Sequence, residues 1–162
     1  MANADRPSGF RPYGRVLRCT RYIAGAAVYP GDVVHMEDDG KVDPATASEA
    51  AIGVAASYAS ADGQEVLVWD DPDQRFIAQL DNGTSLAQTA VGLNFNIVAT
   101  AGNSAYKQSR MEVDSSTGAT NSTLPLRLAG FSRQIDKDAN VEFGEVVVSI
   151  NNHQLAQPSV GL

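Results

Sequence analysis

The chain has 162 residues, enough for one domain with a sizeable core. Its 12 basic and 19 acidic residues give a net charge of −7, which argues against nucleic acid or an anionic membrane as the main partner. With 14 Gly, 7 Pro and many small polar residues, short strands joined by turns are favoured over long helices.

In chain order, residues 1–14 read as an extended arm: two prolines and Gly9 oppose a regular element, while Phe10 and Arg11 are suited to anchoring on another surface. The charge is uneven here. Arg6, Arg11, Arg15, Arg18 and Arg21 crowd a stretch that holds no acid, so a basic beginning precedes an acidic body. Residues 15–23 form an expected strand, and within it Cys19 is expected to be a buried structural thiol. As the sole cysteine it excludes an intramolecular disulfide and a thiolate metal cluster.

Tyr29-Pro30-Gly31-Asp32 and Asp38-Asp39-Gly40 are turn signals on either side of a short strand over 33–36. Residues 43–50 suit a loop or one short helix, and 51–58 a strand of small residues in which Gly53 allows a close backbone approach or a bulge. Two β-rich segments, 65–69 and 75–80, then flank Asp70-Asp71-Pro72-Asp73. That interruption predicts a solvated tight turn joining an antiparallel hairpin. Val66 and Val68 define one face, yet Leu67 and Trp69 leave the other apolar too, so a sheet covered on both faces is expected. Trp69 and Phe76 are assigned to the core.

Further on, 85–89 suits a short helical segment and 92–100 alternates Leu93, Phe95, Ile97 and Ala99 against amides. Met111 and Val113 suit another strand, the run 115–123 a surface loop, 124–131 and 145–150 two late strands, and the charged stretch 136–138 a loop. Residues 151–162 read as a second arm, in which His153, Leu155 and Val160 are available to a neighbour. The expectation is an all-β chain: a compact antiparallel β-sandwich or small barrel, jelly-roll-like or β-tulip-like, over 15–150, with extended N- and C-terminal arms.

Catalytic signatures are missing. No nucleophile elbow, HExxH helix, phosphate loop or dinucleotide glycine pattern occurs, and His35 and His153 stand in unrelated contexts. The acids at 70–73 lack the repeated donor positions of a calcium loop. No catalytic, cofactor or metal residue is therefore assigned. No apolar run is long enough for a signal peptide or a membrane span, so cytoplasmic synthesis is expected.

Three landmarks in order, Ala2 to Pro12, Val68-Trp69-Asp70-Asp71-Pro72-Asp73-Gln74-Arg75-Phe76 and Ile150-Asn151-Asn152-His153-Gln154-Leu155, resemble the capsid decoration, or cement, proteins of tailed bacteriophages. Val91-Gly92-Leu93-Asn94 and 124–131 extend the similarity. The resemblance implies a non-enzymatic β protein on the outer surface of the virion head that bridges major-capsid subunits, often as a homotrimer, with no nucleic acid, membrane or cofactor. On that reading Phe10 and Arg11 anchor the arm, Arg6 and Arg15 supply charge complementarity, and His153 and Leu155 meet the shell or a neighbouring copy. Another head or tail component is the nearest alternative. A carbohydrate-binding β-sandwich module is the broader one, since Trp69, several tyrosines and many amides are available to a glycan.

Overall fold

In the computed structural model, which describes residues 3–81, 85–133, 141–156 and 161, the chain is all-β, with eleven strands in two antiparallel sheets and one short 3-10 helix at Gln88–Ala90. The strands are β1 (Arg11–Tyr13), β2 (Thr20–Ile23), β3 (Val33–Met36), β4 (Val42–Pro44), β5 (Gly53–Ala55), β6 (Glu65–Trp69), β7 (Arg75–Gln79), β8 (Asn94–Val98), β9 (Glu112–Ala119), β10 (Leu126–Phe131) and β11 (Glu145–Ile150). A six-stranded sheet runs β1-β7-β11-β10-β8-β9, and a five-stranded sheet runs β2-β6-β5-β3-β4.

Segments 65–69 and 75–80 are strands, as their alternation predicts, but they do not form a hairpin. Strand β6 pairs with β2 and β5, and β7 with β1 and β11. Residues 70–74 carry the chain from one sheet to the other. Two apolar neighbours with a Pro-containing break look alike in sequence whether the chain folds back or crosses over; pairing depends on partners far along the chain.

Four other expectations shift. The run 115–123 is strand as far as Ala119, because its Ser and Thr hydroxyls and Asp114 satisfy one another along β9: Ser116 Oγ donates to Asp114 Oδ1 (2.7 Å) and Thr117 Oγ1 to Asp114 O (2.7 Å). The 15–23 strand shortens to β2, and Cys19 is exposed, not buried. Residues 43–50 start as the end of β4 and continue without a helix. The 136–138 loop and Val160 lie outside the described residues.

The described parts of both terminal segments are fastened to the body. Phe10 is 1% exposed within the main core and β1 pairs with β7, so residues 10–13 belong to the fold. Gly9 makes this entry possible: its φ is +73°, and a Cβ there would stand 2.7 Å from Gly31 O. At the other end, Asn152 O accepts from Ala51 N (2.9 Å), while the Gln154 amide bonds both backbone groups of Met36 (2.7 and 3.0 Å).

The main core joins Phe76, Ala78, Phe95, Ile97, Leu126, Leu128, Val146 and Val148 of the six-stranded sheet with Val33 and Val54 of the other, and Trp69 packs against it. A second core, with Val34, Val42, Ala55, Val66 and Val68, occupies the opposite face of the five-stranded sheet. Period-two alternation therefore serves two cores at once on β3 and β5. Gly53 permits the close approach of β5 to β6, since a Cβ there would collide with Trp69 O.

Candidate functional site

The registers locate an uncovered stretch of sheet. Val33 pairs with Val54 and Val54 with Trp69, so all three share the face that enters the main core. Leu67, two residues from Trp69, lies on the same face and is paired with Arg21. Yet Leu67 is 43% exposed, and Ile23, two residues beyond Arg21, is exposed as well. The face that packs inward at Val54 continues beyond its cover at β6 and the edge strand β2, so the predicted two-sided covering fails there.

In the chain entering β2, Tyr13, Val16 and Leu17 are exposed as well, with Arg15 and Arg18 interleaved among them. Long aliphatic side chains in water are costly to leave loose, and this segment is held in place. Leu17 N donates to Gln74 Oε1 (2.9 Å). Arg18 Nε donates to Asp70 Oδ1 (2.8 Å) and its Nη2 to Asp70 O (3.0 Å). Thr20 Oγ1 donates to Asp70 Oδ1 (3.0 Å) and Tyr22 OH to Asp70 Oδ2 (2.6 Å).

Asp70 is thus a buried acceptor for three side chains, in contrast to the predicted solvated turn. Burial pushes its carboxyl up, but the bonds from Arg18, Tyr22 and Thr20 outweigh that and hold its pKa below the usual carboxylate value. Burial, with the bond to Asp70, pushes Tyr22 up to about 12. The Cys19 thiol is also raised, first by burial and then by the Asp70 charge, which makes it a poor nucleophile at neutral pH. The arrangement around Asp70 fixes the backbone of 17–22 against the crossover and presents Val16 and Leu17 outward, so docking would cost little further ordering.

The predicted contact residues are not brought together. Arg6 is exposed, and its backbone N–H donates to Gln79 Oε1 (3.1 Å). Phe10 is spent on the core and cannot serve as an anchor. Arg11 Nη2 donates to Glu145 Oε1 (2.9 Å), and Arg15 is exposed beside Val16. His153, 2% exposed, is also removed from contact: its Nδ1 accepts from Leu155 N (3.0 Å), and burial lowers its pKa. Leu155 is 51% exposed. Reasoning from sequence missed Val16, Leu17, Ile23 and Leu67 as surface residues. The available signal was Leu67 itself, an apolar residue out of phase with Val66 and Val68.

A second polar cluster fastens the first residues. Gln79 Nε2 donates to Asp5 Oδ1 (3.0 Å) and to Glu112 Oε2 (3.1 Å). Burial, with the charges of Asp5 and Asp81, pushes Glu112 up to about 7 against the Gln79 bond. No group of three or more potential ligands able to hold a metal ion occurs among the described residues. A scan against protein-family models finds no match for this chain, and a search of curated proteins finds no significant similarity.

Proposed function

We propose that this chain is a non-enzymatic decoration protein of a bacteriophage head, bound to the outer surface of the capsid and tying major-capsid subunits together, as a homotrimer. The observation that carries the reading is the uncovered, preorganised strip formed by Val16, Leu17, Ile23 and Leu67 with its arginines. Exposed apolar side chains interspersed with arginines have the make-up of a protein-binding surface; residues 13–18 hold no acid, and the one beside Ile23 and Leu67, Glu65, is paired with Arg21 (3.3 Å). The landmarks at 2–12, 68–76 and 150–155 supply the link to decoration proteins.

A protein that binds only the assembled shell stabilises it by mass action, and several copies of one strip on an oligomer multiply a weak contact into a strong one. The two edge strands of the five-stranded sheet are tied at one point, where Ala24 just after β2 bridges Val42 of β4 and Gly25 N donates to Val42 O (3.0 Å), which supports a stiff body. Such a stiff body would hold the strip at constant spacing. Electron microscopy of mature heads incubated with the purified protein tests the function: external density at subunit junctions is expected, and bare heads at infection-like salt would overturn it.

A further inference from the structure

A pocket of about 400 Å³ is lined by Trp69, Ser8, Arg11, Tyr106, Lys107 and Gln108, together with the buried Phe10. That volume is in the range of small-ligand sites. Its aromatic and cationic groups are presented on purpose-built backbone. Asn103 and Gln108 exchange two backbone hydrogen bonds (2.7 and 3.2 Å), and Asn103 Oδ1 accepts from Ala105 N (2.9 Å) and Tyr106 N (3.2 Å). The closed loop between them holds Lys107 at a φ of +52° and leaves Tyr106 80% exposed, the most exposed large apolar side chain among the described residues. No core contact explains that ring.

The charges around the pocket oppose the sign of the whole chain. Arg11 shares part of its guanidinium with Glu145 and Ser8, and its side chain is still 46% exposed. Lys107 makes no ion pair among the described residues; its ammonium rests 5.0 Å from the centre of the Tyr58 ring, which is outside the pocket lining, and a rotation of its flexible stem would be needed to bring it to a bound anion. Two rings, two cations, the Gln108 amide and the Ser8 hydroxyl form a mixed set. Rings pack on the C–H faces of a pyranose, amide and hydroxyl match its hydroxyls, and guanidinium with ammonium matches a carboxylate.

We infer that this pocket binds one uronic acid unit of an acidic polysaccharide, its ring against Trp69 and Tyr106 and its carboxylate toward Arg11 and Lys107. A neutral sugar would leave both cations unused, and a purely acidic peptide would leave the Trp69 and Tyr106 rings unused. This site requires no capsid, so it stands apart from the shell-binding reading and is tested on the isolated protein.

Trp69 is the sole tryptophan, which makes its fluorescence a reporter placed in the pocket wall. The full-length protein is titrated with oligouronates of the gluco, galacto and manno configurations, with their neutral methyl esters, with a tetraglutamate peptide and with sodium sulfate. A saturable emission change with at least one free oligouronate, weakened as salt rises, and absent with its ester, is expected. Lys107→Gln and Tyr106→Ala should each weaken it at least about tenfold with an unchanged unfolding midpoint, since both side chains are exposed. No response to any oligouronate, an equal response to esters, peptide or sulfate, or full affinity in both variants would overturn the assignment.

Discussion

Strands β6 and β7 are each five residues long, stand next to each other in the chain, and end up in different sheets with different surroundings. In β7 every residue after Arg75 is buried, with Phe76 and Ala78 in the main core and Ile77 covered on the other side. In β6 burial alternates: Val66 and Val68 fill the second core, and Leu67 faces out although it belongs to the face that Trp69 tucks inward. The difference teaches that β7 spends its apolar side chains on folding, whereas β6 leaves one of them partly in water, the residue on which the proposed attachment depends.

Substitutions separate the two uses. The largest effect belongs to Phe76→Ala, which empties a fully buried ring site on β7 and should cost about 3–5 kcal/mol in urea unfolding. Phe10→Ala should fall in the same range. Removing residues 2–12 should therefore damage the fold itself, and a truncated protein with wild-type stability would contradict the placement of Phe10.

Next comes Glu112, which borders β7 through Gln79. Its pKa is raised in the folded state, from 4.5 to about 7, so the folded protein holds a proton that the unfolded chain has lost. The contribution is complete below pH 4.5 and is lost as pH rises through about 7, and because the carboxyl is only half-buried, solvent screening holds the decline well below the full linkage value. Glu112→Gln should flatten that slope and stabilise the protein at pH 8. Unfolding midpoints measured across this range check it, and an unaltered slope would show that Glu112 is not the titrating group.

Tyr22→Phe is expected to be milder. It deletes the 2.6 Å bond to Asp70, worth about 1.5–2 kcal/mol for a charged acceptor, and should loosen the segment before β2. Faster amide exchange at Leu17, whose N–H bonds Gln74 on the same crossover, is the local readout. The smallest effect on folding belongs to Leu67→Asp, about 1 kcal/mol, because the side chain is 43% exposed and Asp suits a strand poorly.

Local pattern made much of the strand content legible: 33–36, 65–69 and 145–150 match the observed strands, and Gly53 sits where backbones approach closely. Topology was not legible, because the break at 70–73 has the chemistry of a turn whether or not its flanks pair. The burial of Asp70 likewise depends on Arg18, Thr20 and Tyr22, which reach it from some fifty positions away. Phe10 misled for a related reason. Its Pro- and Gly-rich neighbourhood reads as an arm, and only the space left by Gly9 and Gly31 lets the ring turn inward. The exposed strip required the registers: Leu67 is apolar in any reading, and its lack of cover follows from where the partner sheet ends.

The most direct measurement is the binding of Leu67→Asp and wild-type protein to mature heads, by co-sedimentation at infection-like salt, with unfolding midpoints recorded in parallel. Wild type should sediment with the heads, and Leu67→Asp should remain in solution while still folded, its unfolding midpoint only slightly lowered. Equal sedimentation of the two would contradict the assignment of this strip as the attachment surface.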